Sequence, residues 1–305
     1  MQARVFVTGA SGFVGSAVVD ELLARRHPVH ALLNRRPVTE NARTFRGDLF
    51  DNAVLDEAMR GCDAVIHLVG IIMEHPSKGI TFQRIHFDGA KNVIDAAVRN
   101  GIKRFIHMSA LGVRPDAVSD YHTTKYRAEE YLRATGLDWT IFRPSMIHGP
   151  RGEFMQMAAK WSRMQAPPFL FMPYFGAGFL GFGGAGMLQP VYVNDVARAF
   201  VDALENPRTI GEAYLLGGTE QLTWPELHRT ISQAIVGRKR WTFPLPVWKA
   251  KLLAAIGLGK VAGFNRDQII MSQEDNTCDL TKFEQDFGWT PRGFEESLKS
   301  YAALL

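Results

Sequence analysis

The chain has 305 residues, 46% of them hydrophobic and 22% charged, which suits one large or two medium domains and lies outside the disordered, collagenous and disulfide-scaffold classes. Its two cysteines, Cys62 and Cys278, can build neither a disulfide framework nor a zinc cluster, so a reducing, cytoplasmic location is expected. A net charge of +4 is too small to imply nucleic acid by itself, and no nucleic-acid partner is expected.

Met1 to Thr8 runs straight into a strand-like segment, without the basic and apolar regions of a secretory signal. Short apolar runs then alternate with helical patterns: strands are expected at Ala3 to Thr8, Val29 to Leu33, Thr44 to Arg46, Ala64 to Val69, Arg104 to Met108 and Trp139 to Phe142, and helices after Gly12, Asp51, Thr81 and Asp120. That alternation predicts an α/β fold, a Rossmann-like, doubly wound parallel sheet. The uncharged stretch from Met164 to Asn194 is long enough to span a bilayer, but Pro167, Pro168, Pro173 and its glycines break it, and it reads as a loop. Order returns after Gly186 with a strand at Leu188 to Val193, a helix at Asp195 to Leu204, a strand at Ala213 to Leu216, and a helix at Trp224 to Val236 capped by Thr223. The expected division is a dinucleotide-binding domain of 1–150 with about 188–217, and a smaller, mostly helical cap lobe of about 151–187 and 218–305.

The first expected strand opens onto Gly9-Ala-Ser-Gly12-Phe-Val-Gly15. Gly9 permits a tight turn, Gly12 lets backbone N–H groups approach a pyrophosphate, and Gly15 allows close helix-to-strand packing, with the helix N-terminus adding partial positive charge. The end of the second strand reads Asn34-Arg35-Arg36, with no acid to bind ribose hydroxyls and two guanidiniums that suit a 2′-phosphate, so NADP(H) is preferred over NAD(H). Asp48, in Gly47-Asp48-Leu49, is placed either near the adenine or in a turn. Tyr121 and Lys125 lie four apart in a helical pattern and so share a face. A cation beside the phenol is expected to draw its pKa toward neutrality and make Tyr121 a general acid/base for an alcohol or ketone. His67, His86 and His107 are expected to be satisfied hydrogen-bonding groups, and neither a His-Glu-x-x-His nor a Gly-x-Ser-x-Gly motif occurs.

Thr8 to Gly15, Tyr121-x-x-x-Lys125 and Arg143-Pro-Ser-Met-Ile-His-Gly149 together resemble the extended or atypical short-chain dehydrogenase/reductase superfamily, the epimerase/dehydratase-like branch. More narrowly, Ile85 to Val93, Phe105 to Gly112 and Gln189 to Val196 look like bacterial relatives of the nucleotide-binding accessory subunit of respiratory complex I. The resemblance implies Tyr121 as acid/base, Lys125 holding the nicotinamide ribose and Ser109 as the substrate-orienting hydroxyl, although extended members place that hydroxyl about where Leu111 stands here. It implies cofactor contacts from Thr8, Gly9, Ser11, Gly12, Phe13, Val14, Gly15, Asn34, Arg35, Arg36, Asp48, Leu49, Leu68, Val69, Gly70, Lys125 and Pro144. No metal is expected.

From Leu227 to Arg266 there are eight Lys/Arg and no acid, interleaved with Trp241, Phe243 and Trp248, the mixture of a segment lying on an anionic membrane surface, with a solvated basic face as the alternative. Phe169, Phe171, Phe175, Phe179 and Phe182 fall where the superfamily builds its substrate pocket and would suit an apolar, quinone, isoprenoid or lipid-like substrate. The expected function is an NADP(H)-dependent oxidoreductase of such a carbonyl or alcohol. A non-catalytic NADPH-binding accessory or assembly protein of a membrane complex and an NAD-dependent nucleotide-sugar epimerase/dehydratase are the alternatives.

Overall fold

Seven strands of the first unit pair side by side in the computed structural model, which describes residues 2–34, 38–39, 41–183, 186–255 and 266–305. They are β1 (Val5–Thr8), β2 (Val29–Leu33), β3 (Arg43–Arg46), β4 (Ala64–His67), β5 (Arg104–Met108), β6 (Asp138–Pro144) and β10 (Glu212–Leu216). All neighbours are parallel, in the order β10-β6-β5-β4-β1-β2-β3. Burial on both faces explains why β1 and β4 are apolar or sealed along their whole length. After β1 the chain winds outward to β2 and β3, then returns to β4 on the other side of β1, so the carboxyl ends of β1 and β4 frame the crevice where such sheets bind ligands.

Alternate residues of one strand serve opposite faces. Ile141 joins a core with Phe6, Phe105, Leu55 of α2 (Asn52–Met59) and Val93 of α3 (Gly89–Arg99), whereas the Phe142 ring lies 4.6 Å from Phe200 of α6 (Val193–Glu205). α1 (Phe13–Ala24) packs along α6. α4 (Asp120–Arg133) carries Tyr121 and Lys125 in its first turns.

The chain divides into two compact units, 1–144 with 193–216 and 279–290, and 145–192 with 217–278 and 291–305. Compared with the expected boundaries, 279–290 joins the first unit because α10 (Thr281–Phe287) packs on the sheet edge, where the Tyr214 hydroxyl donates to Asp286 at 2.7 Å.

In the second unit, the expected helix after Thr223 is α7 (Trp224–Val236), closed by a reciprocal Thr223–Glu226 capping box and by Gly237 at φ +70°. The Met164 to Asn194 loop is corrected. It contains β8 (Met172–Gly176), which pairs in parallel with β11 (Thr242–Pro246), while the short β9 (Val191–Tyr192), inside the strand expected at Leu188 to Val193, pairs with β7 (Ile147–His148). α5 (Glu153–Ser162), which sequence periodicity missed, buries Met155, Ala158 and Ala159. α8 (Val247–Ala255), α9 (Arg266–Met271) and α11 (Phe294–Lys299) complete the named helices. Among the described residues no helix is long and apolar enough to cross a membrane.

Candidate active site

At the end of β1, Gly9 takes φ +75° and its carbonyl accepts the Gly12 N–H at 2.9 Å, which closes the turn into α1. A Cβ on Gly15 would lie 2.7 Å from Gly9 C and 2.9 Å from Ala10 Cα, so the loop and helix meet at a distance only glycine allows. Gly12 is the N-cap of α1, with no side-chain cap and no acid in the first turn, so the positive end of the helix is left for an anion. The loop therefore fits a dinucleotide pyrophosphate: among the described residues no side chain caps the helix end, and Gly12 adds no side chain there. Thr8 and Val14 are buried; the Thr8 hydroxyl bonds His67 Nδ1 at 2.7 Å.

An open cleft of about 620 Å³ lies beyond β2 and β3, lined by Asn34, Arg46, Asp48 and Phe50 among others. Asp48 spends one carboxylate oxygen on the Phe50 N–H at 2.8 Å, the turn role weighed for it, while also lining this cleft. Leu49 turns its side chain into the core against Gly89. Arg35 and Arg36 lie outside the described residues. Arg46, which sequence reading passed over as a strand-end arginine, is exposed in the cleft.

Past β4, Leu68 is buried, Val69 half-buried and Gly70 exposed. A Cβ on Gly70 would sit 3.5 Å from Lys125 Nζ and 3.7 Å from His86 Nε2. His86 comes from a π-helical turn, Gln83–Asp88, whose wider winding turns the imidazole toward the site. Its Nε2 accepts the Ile71 N–H at 3.0 Å, its Nδ1 lies 3.2 Å from Thr124 Oγ1, and its ring meets Tyr121 edge-on with centroids 5.1 Å apart.

Lys125 is 4% exposed and donates to the Met108 carbonyl at 3.2 Å; its Nζ lies 5.5 Å from the Tyr121 ring centre. Burial pulls its ammonium down to about 8, against an opposing pull from Glu129 one turn further on. Glu129 is itself sealed and paired with Arg143 and Arg133. The two side chains share a helical face as expected, but the expected effect on the phenol is corrected. Burial pushes Tyr121 up to about 12, so desolvation outweighs the cation.

Ser109, on the backbone continuation of β5, is 3% exposed, and its Oγ is enclosed without a hydrogen-bond partner. Leu111 is also buried, its N–H bonded to the Pro144 carbonyl at 2.9 Å. Thr123 and Thr124 spend their hydroxyls on the Ser119 and Asp120 carbonyls. The reading of the histidines holds for His86 alone: His67 leaves Nε2, and His107 both ring nitrogens, without partners. Burial keeps both imidazoles neutral, His107 down to about 3.

A glycine-looped parallel sheet with Tyr-x-x-x-Lys at its carboxyl edge defines a dinucleotide-binding protein of the short-chain dehydrogenase/reductase class. A family model described as NAD(P)H-binding matches residues 9–159. The chain is 30% identical over 254 residues to cinnamoyl-CoA reductase 1 of Oryza sativa subsp. japonica, covering 70% of this chain and 71% of that one. It is 25% identical over 244 residues to the mitochondrial NADH-ubiquinone oxidoreductase 40 kDa subunit of Neurospora crassa, covering 77% of this chain but only 60% of the longer relative. Among solved structures it is similar to gox2253, with a TM-score of 0.76 and 27% identity over 99% of this chain and 97% of that one. The chain belongs to the extended short-chain dehydrogenase/reductase family and carries its NAD(P)H-binding domain.

Proposed function

We propose that the protein is an NADP(H)-dependent reductase of a carbonyl group on an apolar small molecule. The observation that carries this reading is the convergence of Tyr121, Lys125 and Gly70 at the carboxyl edge of the sheet, one crevice along from the glycine loop. Bound nicotinamide would supply hydride chemistry. Tyr121, whose phenol burial keeps protonated well beyond neutral pH, donates the proton to the carbonyl oxygen. Lys125 steadies the phenol and holds ribose. Asn34, Arg35, Arg36 and Arg46 would receive the adenosine end, and the guanidiniums favour a 2′-phosphate. An apolar group beside the reacting carbonyl is supported by the rice relative, a cinnamoyl-CoA reductase by name.

The enclosed Ser109 hydroxyl and the buried Leu111 support a second reading, a protein that holds NADPH without turnover as an accessory part of a larger complex, and the Neurospora relative is by name a subunit. The experiment that separates them is NADPH and NADH titration of the purified chain, followed by a screen of apolar ketones, aldehydes and acyl thioesters beside nucleotide sugars. Tyr121→Phe is expected to keep cofactor affinity and lose about 10²- to 10⁴-fold in turnover. NADPH binding with no turnover of any compound supports the holding role. Turnover confined to nucleotide sugars, or undiminished in Tyr121→Phe, overturns the proposal.

A further inference from the structure

The five phenylalanines expected to wall a pocket do not all face inward in their own unit: Phe169, Phe179 and Phe182 are exposed, Phe182 by 69%, and Leu170 and Leu180 stand out beside them. The β8–β11 pairing brings this segment against a second set of exposed apolar side chains, Trp241, Phe243, Trp248 and Leu252, with Trp241 exposed by 84%. The two sets hold each other. The Trp248 ring stacks on Phe179 with centroids 5.8 Å apart and its Nε1 donates to the Phe179 carbonyl at 3.0 Å, while Phe243 contacts both Phe171 and Phe182. Exposed apolar patches of this extent mark an interaction surface.

Charge identifies the partner. Both segments lie in stretches without a single acidic residue, 154–194 between Glu153 and Asp195, and 227–252 after Glu226. Exposed cations flank the aromatics: Arg238, Lys239, Lys249 and Lys251, with the Lys249 ammonium 5.3 Å from the Trp248 ring centre. Tryptophans and phenylalanines on two basic stretches that carry no acid of their own fit the headgroup level of an anionic bilayer, where indoles sit at the interface and ammonium groups meet lipid phosphates. A second copy of the chain is a poor fit, because a two-fold interface would set this basic patch against itself. We infer that the exposed aromatic face of the second unit seats the protein peripherally on an anionic lipid surface. This inference stands apart from the cofactor chemistry, since none of its residues belongs to the proposed active site.

The test is co-sedimentation of the full chain with vesicles of phosphatidylcholine alone and of phosphatidylcholine with phosphatidylglycerol, at low and high salt, with intrinsic tryptophan emission read in parallel. Binding and a blue shift are expected only with the anionic vesicles, weakening at least tenfold in high salt. Trp241→Ser/Phe182→Ser and, separately, Lys249→Glu/Lys251→Glu should each reduce partitioning at least tenfold, with circular dichroism melting and NADPH titration unchanged. Equal pelleting with neutral and anionic vesicles, undiminished binding in both variants, or self-association by light scattering without lipid binding would overturn the inference.

Discussion

Replacing Lys125 by methionine should make the cofactor-free protein more stable at neutral pH while abolishing its proposed chemistry. Burial lowers this ammonium from its ordinary 10.5 to about 8. At about 1.4 kcal/mol per tenfold change in proton affinity, the folded state carries a penalty of about 3 kcal/mol for holding the charge. Methionine removes that penalty but leaves the Met108 carbonyl, now bonded to Nζ at 3.2 Å, without its donor, which costs back about 1–2 kcal/mol. A net gain of about 1–2 kcal/mol is expected at pH 7. The pH dependence follows from linkage. Between about 8 and 10.5 the unfolded lysine still binds a proton that the folded one has released, so wild-type stability rises with pH across that window, and the advantage of the variant shrinks to nothing and then reverses. Urea unfolding of both proteins at pH 7 and near pH 10.5, followed by far-UV circular dichroism, reads this difference directly, because titrations common to both cancel. A variant less stable than wild type by the same margin at both pH values would refute the reasoning, since it would mean that Lys125 acts through packing and not as a desolvated charge.

The phosphate loop makes a graded prediction. Gly15→Ala gains about 1 kcal/mol in helix propensity, but its Cβ meets only backbone atoms, Gly9 C at 2.7 Å and Ala10 Cα at 2.9 Å. The loop must move, so NADPH affinity by calorimetry should fall at least tenfold with about 1–3 kcal/mol of stability lost. Gly12→Ala meets only the Gly9 carbonyl oxygen, at 3.1 Å, and should leave urea stability within about 1 kcal/mol of wild type; a larger loss than in Gly15→Ala would contradict the packing account. Arg46→Ala is expected to weaken NADPH about tenfold and NADH by much less, since it removes a cation from the cleft beyond β3 and no group that reads ribose. Equal losses for the two coenzymes would take Arg46 out of 2′-phosphate recognition.

Most of the first unit was legible because parallel strands buried on both faces leave continuous apolar runs, as in Val5 to Thr8 and Ala64 to His67, and because a glycine loop between strand and helix has few other uses. What could not be read depends on partners remote in sequence. β8 contains a proline and ends in a glycine, and its pairing partner begins at Thr242, so nothing local distinguishes it from a loop. α5 is a different case: Phe154, Met155, Met157, Ala158 and Trp161 do stand at helical spacing, so this helix was legible and was passed over beside the Gly149-Pro150 break. The π-helical turn that aims His86 leaves no signature in composition. The phenol was misjudged for a different reason: helical spacing places a cation beside Tyr121, but spacing is silent about water, and the burial that brings the pair together desolvates both.

The phenylalanines between 169 and 182 bring out the same limit from the opposite side. Aromatic density alone fits a pocket wall and an exposed face equally well, and in this chain the discriminating signal was already present as an absence of acid. A pocket for an uncharged substrate has no need to exclude carboxylates from some forty consecutive residues around it, and neither has a packed core whose surface is free to carry either sign. Two such stretches, brought together by β8 and β11 and crowned by exposed indole and phenyl rings, are what an anionic surface selects. Charge patterning therefore carries the information that hydrophobicity lacks here: the apolar residues supply insertion, the missing carboxylates remove the repulsion that would cancel it, and the prediction stands on their coincidence in one unit.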